Sequence, residues 1–582
     1  MTISHTDLDK LSAQQRRELL TELLRRKEHG RRVAPPPLKA DPARRYEPFP
    51  LTDVQYAYWL GQQGLFPLGN VATHAYLEFE ADGMDVERVE RTFNRLVGYH
   101  GMLRAVVGAD GRQRILERVE PYRIAIDDLR GAEAHTVQSR LLATRATLSH
   151  KVHAPDRWPL FEIRATVFGA VRVRLHISLS LLILDAWSIR ILLTQWFALY
   201  DHPKLPLPAL QVSFRDYVLA EEATRSSEEY RRAEAYWRNR LSDLPPGPDL
   251  PLAADPREVE RPRFARVSQT IDEERWARLK TAARRANLTP SGLLLAAFGS
   301  VLRRWSQNPR FLINATVFNR QPWHPEIDYM LGDFTSTMLV AFDAAAAAGA
   351  VDFRHRAKRV QQQFWADLDH CQYSGIRVMR ALMRMPDRQA TSLAPVVFTS
   401  IFGTSAPAAK MLAAGDFVFG ISQTPQVWLD HQVTEQAGKL VLTWDAVEGL
   451  FPAGMVSEMF DAYVELVERL AADTSSWTGT KLVRLPEDQQ RVRAAANDTA
   501  GPVSTECLHA LVAEAVRLDP PGVAVVGDGR RLTLDELRQS ADRLAARLRA
   551  AGIRRGHPVA VVLPKGCDQV VAVLGILGAG GA

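Results

Sequence analysis

Between Val171 and Ser188 the chain reads VRVRLHISLSLLILDAWS, in which Val171, Val173, Leu175, Ile177 and Leu179 alternate with Arg172, Arg174, His176, Ser178 and Ser180. That period is the signature of a β-strand with one face buried, and it gives way to a loop at Asp185. A strand fixes which side chains meet, so Ser180, Asp185 and Ser188 gather near one strand end. His176 shares a strand face with Ser180, but neither an acid to orient it nor a nucleophile elbow accompanies the pair. We therefore read it as a core or lobe-interface histidine.

At 582 residues the chain is long enough for two to four folding units with substantial cores. Its net charge of +6 comes from arginines spread along the sequence, with no basic stripe interleaved with aromatics, which argues against a nucleic-acid partner. Three distant cysteines, Cys371, Cys507 and Cys567, do not make a disulfide framework and fit a reducing, cytoplasmic setting. The segment MTISHTDLDK lacks a basic region followed by an apolar core, so no secretory signal is expected. The apolar run Val570–Ala582 is too short and glycine-rich to span a bilayer, and no membrane partner is expected.

The expected organisation has five parts. Residues 1–38 form a leader whose leucines, Leu8 to Leu24, predict an amphipathic helix. A large α/β body follows in two lobes, 39–240 and 241–475, joined near the proline-rich LPPGPDLPL at Leu244. In the second lobe Thr289 and Pro290 open a helix whose face from Leu293 to Trp305 is core. Residues 476–502 read as a polar linker. From 503 to 582, a capped helix, a buried strand in HPVAVVLPKG and an apolar helix read as the first portion of another α/β domain.

Several segments recur in the order known for one family: FPLTDVQYAYWLG from Phe49, HGMLR from His100, LPPGPDLPL from Leu244, TPSGLLLAAFGSVLRRWS from Thr289, GDFTS from Gly332, PVVFTS from Pro395 and ISQTPQVWLDHQ from Ile421. Together they resemble the heterocyclization domains of nonribosomal peptide synthetases, within the condensation-domain superfamily. LTLDEL at Leu532 and VLGILGAGGA at Val573 resemble the start of an adenylation domain, without its phosphate loop and later lysine. The resemblance implies a two-lobed chloramphenicol acetyltransferase-like fold with a central tunnel. It also implies upstream and downstream carrier proteins presenting phosphopantetheine arms, with no cofactor or metal bound by this chain. The activity implied is condensation of a carrier-bound acyl or peptidyl thioester with a carrier-bound Ser, Thr or Cys residue, then cyclodehydration to an oxazoline or thiazoline. Amide condensation without ring closure, and a non-catalytic carrier-docking module, are the alternatives.

Ring closure needs a nucleophile deprotonated and a hydroxide leaving group protonated, so a carboxyl that can shuttle protons is the minimum equipment. The resemblance implies Asp430 for that role and Thr399 as its partner, a hydroxyl that both donates and accepts. Asn314, Asn319 and Arg320 lie in NATVFNRQPWHPEID. Asn319 is preferred slightly over Asn314 as a substrate ligand, and Arg320 is the expected partner of Asp185, which is then architectural together with Ser188. Gln423 and Gln426 flank Asp430, and Gln426 is counted with the substrate contacts. One position departs from the family pattern of Asp, four residues, Asp, two residues, Ser: the first acid is Ser180. A smaller, uncharged residue there predicts a reshaped acceptor pocket or a lost cyclization step. Asp367, Asp369, His370 and Cys371 have no second cluster at zinc-like spacing and read as a helix surface.

Overall fold

The computed structural model describes residues 38–64, 67–343, 351–385, 394–402, 415–480, 482–501 and 503–582. The helix expected between Leu8 and Leu24 lies outside them. The chain divides into two compact units, with the boundary between Pro486 and Glu487. In chain order the strands of the first unit are β1 (Phe49–Pro50), β2 (His74–Asp82), β3 (Ala105–Val107), β4 (Arg112–Ile115), β5 (Ala125–Leu129), β6 (Phe161–Phe168), β7 (Arg172–Ser180), β8 (Phe264–Ile271), β9 (Arg310–Phe318), β10 (Thr335–Asp343), β11 (Val396–Ile401), β12 (Asp416–Gln423), β13 (Leu429–Gln436) and β14 (Lys439–Val447).

They form two large sheets, one per lobe, and a small one, β1-β4-β3. The first lobe holds β12-β2-β7-β6-β5 and the second holds β10-β9-β11-β13-β14-β8. On the first sheet the odd positions of β7, Leu175, Ile177 and Leu179, are buried with Phe93, Leu192 and Trp196 of the helices Val86–Tyr99 and Ala186–Asp201. Its even positions face water only at the start, at Arg172: His176, expected as a core or lobe-interface histidine, and Ser178 and Ser180 are fully buried. The reason is a second cover on the polar face, where His153 bonds Ser178 Oγ at 2.9 Å and Arg145, from helix Ala134–Leu148, reaches Glu78. His176 is a core histidine, with Nδ1 2.8 Å from Tyr76 Oη and Nε2 3.1 Å from Thr166 Oγ1.

The second sheet has one face that is apolar apart from His431. Val396, Phe398, Leu429, Val433, Leu442 and Trp444 are buried with the helices Pro290–Trp305 and Met455–Ala472. The helix opened by Thr289 is capped as expected, Thr289 Oγ1 accepting from Gly292 N–H, and every residue from Gly292 to Leu302 is buried. Its other face, the one that matters for function, looks across to the first lobe.

The lobes exchange segments, which a single cut between residues 240 and 241 does not capture. Helix Glu228–Arg240 packs Tyr230, Ala233 and Trp237 into the second-lobe core. Conversely, β12 joins the first-lobe sheet beside β2, and Ile327, Met330, Leu331 and Phe334 enter the first-lobe core. Asp367, expected on a helix surface, is fully buried, where it accepts from Tyr236 Oη and pairs with Arg240.

The second unit contains helices Glu487–Asn497, Leu508–Leu518, Leu534–Ala550 and Cys567–Ala579 and a hairpin of β15 (Val523–Gly527) and β16 (Arg530–Thr533). The first of these helices occupies the stretch expected to be a linker and buries no residue, in keeping with its polar sequence. Thr533 and Glu536 form the capping box that starts helix Leu534–Ala550. The strand expected in HPVAVVLPKG is not formed: no strand among the described residues pairs with it, and Val562 is 90% exposed.

Candidate functional site

Where the second sheet turns its polar face toward the first lobe, a cavity of about 1240 Å³ opens. Strand parity decides what lines it. Asn314, Thr316 and Phe318 of β9, Thr335 and Thr337 of β10, Val397, Thr399 and Ile401 of β11, and Asp430 and Gln432 of β13 all face the cavity, each set spaced by two. Tyr58, from helix Asp53–Gly61, and Leu184 and Asp185 come from the first lobe.

Thr399 and Asp430 are brought together on neighbouring strands. β11 and β13 run parallel, with Val397 opposite Asp430 and Thr399 opposite Gln432, so Thr399 lies one pleat further along the same face. Thr399 Oγ1 is 2.8 Å from Thr316 Oγ1, while Asp430 Oδ2 accepts from Gln432 Nε2 at 2.7 Å, with Ser422 Oγ 3.4 Å away. Asp430 Oδ1 is enclosed and has no hydrogen-bond partner in the protein. Burial, reinforced by the nearby charge of Asp445, pushes the Asp430 carboxyl up to about 7. The carboxyl is thus poised to hold or release a proton near neutrality, with one oxygen uncommitted. His431, next in sequence, points the other way into a cage of Phe298, Phe398, Trp444 and Tyr463, where burial drives its imidazole down to about 3.

Asp185, Ser188 and Arg320 form a knot between the lobes. Asp185 caps helix Ala186–Asp201, accepting from Ser188 N–H at 2.6 Å, and its other oxygen accepts from Phe334 N–H at 3.3 Å. Arg320 Nη2 donates to Asp185 Oδ1 at 3.1 Å and to Ser188 Oγ at 2.7 Å, while its Nη1 donates to the carbonyls of Ile327 and Met330. Ser188 Oγ in turn donates to Gly332 O at 2.7 Å. Gly332 has to be glycine here, because a Cβ would sit 2.3 Å from the Phe214 ring. Both carboxylate oxygens of Asp185 are engaged by donors, an architectural arrangement.

Three sequence expectations need correction or refinement. Asn319 does not reach the cavity wall: its Nδ2 donates to Glu221 Oε1 at 2.8 Å and its Oδ1 accepts from Gln321 Nε2 at 2.7 Å. Asn314 does, and its Oδ1 is buried without a partner. The spacing of two from Asn314 to Thr316 to Phe318 was the available signal, since Asn319 has the opposite parity. Ser180 is not on the wall either. It is fully buried, its Oγ accepting from Leu182 N–H at 3.3 Å, and it faces His74 on β2 across the polar side of the first sheet. The cavity is walled instead by Leu181 and Leu184. Gln426 lines the cavity from a left-handed turn, φ 65°, with its backbone N–H donating to Leu68 O at 3.3 Å. Sequence reasoning missed Tyr58, Thr316 and Gln432. The last was legible, two residues after Asp430 on the same strand.

Residues 47–491 match the condensation-domain family model, and residues 512–582 match the AMP-binding enzyme model. Pyochelin synthetase PchF of Pseudomonas aeruginosa is 38% identical over 556 residues, 94% of this chain and 30% of that protein. Phenyloxazoline synthase MbtB of Mycobacterium tuberculosis is 38% identical over 543 residues, 92% of this chain and 38% of that protein. The chain spans under half the length of these curated relatives. Among solved structures, the EpoB NRPS cyclization-docking bidomain from Sorangium cellulosum superposes with a TM-score of 0.71 at 37% identity, covering 82% of this chain and 94% of that one. With ordered motifs, a two-lobed architecture and a matched family model in agreement, the chain belongs to the condensation-domain family of nonribosomal peptide synthetases.

Proposed function

We propose that this protein joins a carrier-bound acyl or peptidyl thioester to the amine of a carrier-bound Ser, Thr or Cys residue and then closes the new amide to an oxazoline or thiazoline with loss of water. The observation that carries this reading is Asp430: a carboxyl pushed up to about 7, with one oxygen uncommitted, on the wall of the interlobe cavity. Likeness to a phenyloxazoline synthase and to an excised cyclization bidomain supports it. The phosphopantetheine arms belong to the carriers, and the cavity between the lobes is where their thioesters meet.

In the condensation step the acceptor amine attacks the donor thioester carbonyl, a C–N bond forms, and the thiol leaves. The acceptor side-chain oxygen or sulfur then adds to the amide carbonyl carbon, giving a tetrahedral centre that carries a hydroxyl. Expulsion of that hydroxyl as water, with loss of the nitrogen proton, leaves the C=N bond of the ring. Asp430 takes a proton from the attacking or nitrogen atom and returns one to the departing hydroxyl, which a group near neutrality does at least cost in either direction. Thr399, tied to Thr316, orients the hydroxyl being expelled. Asn314, with its side-chain oxygen free, accepts from the substrate amide N–H.

The test is intact-mass analysis of the downstream carrier after mixing the protein with donor-loaded and Ser-, Thr- or Cys-loaded carriers. Product one water lighter than the linear amide is expected, and Asp430→Asn or Thr399→Ala should stop at the amide. Only linear product from the unaltered protein would assign it condensation alone, and no amide at all would leave a docking role.

A further inference from the structure

Behind Asp430 stands a second acid that the reaction does not use. β13 and β14 pair antiparallel with Asp430 directly opposite Asp445, an arrangement that is unfavourable when both carry charge. Asp445 is fully buried and salt-bridged to Arg266 of β8, with Nε at 2.7 Å and Nη2 at 2.5 Å on its two oxygens. Ser422 of β12 adds two more donors to Asp445, its backbone N–H at 3.1 Å and its hydroxyl at 2.9 Å.

The same hydroxyl lies 3.4 Å from Asp430 Oδ2. It has one proton, and the shorter bond takes it to Asp445. Gln432 completes the bridge, one amide N–H to Ser422 Oγ and one to Asp430 Oδ2, both at 2.7 Å. Asp445 therefore receives four donors, two of them from a guanidinium, while Asp430 receives one good donor. Of two neighbouring carboxyls so unequally solvated, the poorer one keeps the proton.

Resting on the assignment of Asp430 as the proton carrier, we propose that the Asp445–Arg266 ion pair, linked through Ser422, is a positioning device that keeps a transferable proton on Asp430. The charged or titratable groups that face Asp430 are Asp445 from β14, Arg266 from β8 and Tyr58 from helix Asp53–Gly61. Thr399, Ser422 and Gln432 are neutral, and His431 lies on the opposite face. The Ser422 hydroxyl lies 2.9 Å from Asp445 and 3.4 Å from Asp430, so the nearest carboxyl oxygens are within roughly 6 Å, and removing the Asp445 charge translates into about one to two pH units at a protein-like effective dielectric.

The experiment is single-turnover water loss, followed by carrier mass across pH 5–9, with linear-amide formation in the same samples as the control for an intact fold. Asp445→Asn should move the midpoint of the water-loss profile down by about one to two units, and Asp445→Glu should restore it toward the unaltered value. Arg266→Gln should move it up, because the carboxyl pair then holds its proton to higher pH; this opposite sign decides the matter if Asp445→Asn does not fold. Midpoints unchanged in both variants that still form amide would overturn the proposal. Loss of the parent assignment looks different: Asp430→Asn would then still expel water.

Discussion

Asp430→Asn should make the protein more stable while it stops ring closure. The folded carboxyl sits at about 7 because burial and Asp445 oppose its charge, against an ordinary value of 3.8 in the unfolded chain. About three pH units at 1.36 kcal/mol each put the native state roughly 4 kcal/mol below its potential stability above neutral pH. Access of the side chain to the cavity lowers this to about 2–3 kcal/mol. The sign follows from proton binding: between about pH 4 and 7 the folded state holds a proton that the unfolded state has released, so stability falls as pH rises through that window. Asparagine has no such proton. Its amide oxygen accepts the same Gln432 N–H. The difference between variant and parent should thus be near zero at about pH 4, grow through pH 7 and then level off. Urea unfolding of the first unit, read by tryptophan fluorescence at pH 4.5, 6 and 8, measures it. A difference that does not change with pH, or a variant that is less stable at pH 8, would refute the reasoning.

Arg320→Ala should cost about 3–5 kcal/mol, because it leaves the buried Asp185 carboxylate without its cation and frees two backbone carbonyls. In a double-mutant cycle with Asp185→Asn the combined loss should be well short of the sum, and strict additivity in the unfolding midpoints would contradict the knot. Ser180→Asp should lower stability by about 1–3 kcal/mol by burying a carboxyl, yet leave the preference among Ser-, Thr- and Cys-loaded carriers as it was. A changed acceptor preference at unaltered stability would put position 180 back on the cavity wall.

What the sequence exposed and what it hid follow from range. Local signals were reliable where one segment decides its own structure: the Thr289 cap, the apolar face of the helix it starts, and the Thr533 capping box all formed. So did the partnership of Arg320 with Asp185, because a buried carboxylate demands a cation and few were at hand. Burial of Ser178 and Ser180 on β7 was not legible, since it depends on Arg145 and His153 arriving from segments whose own pattern is unremarkable. The choice between Asn314 and Asn319 went the other way for a simpler reason. Which of two asparagines points inward was left as a slight preference, whereas strand parity with Thr316 and Phe318 answers it. The pairing of Asp430 with Asp445 needs register between β13 and β14, and fifteen residues of sequence separation carry no hint of it.

The serine at position 180 now reads differently from a missing proton shuttle. A carboxyl there would look across the strand pair at His74, whose imidazole is held well below its usual value by burial and by His153 nearby. Serine there leaves that histidine neutral, and neither residue puts a charge into the cavity. Asp185, the acid that remains, has both oxygens engaged in holding the lobes together. The carboxyl proposed to carry the proton lies in the other lobe, where β13 sets a poorly solvated carboxyl beside a well-solvated one, and the first lobe's departure from the family pattern leaves that pair untouched.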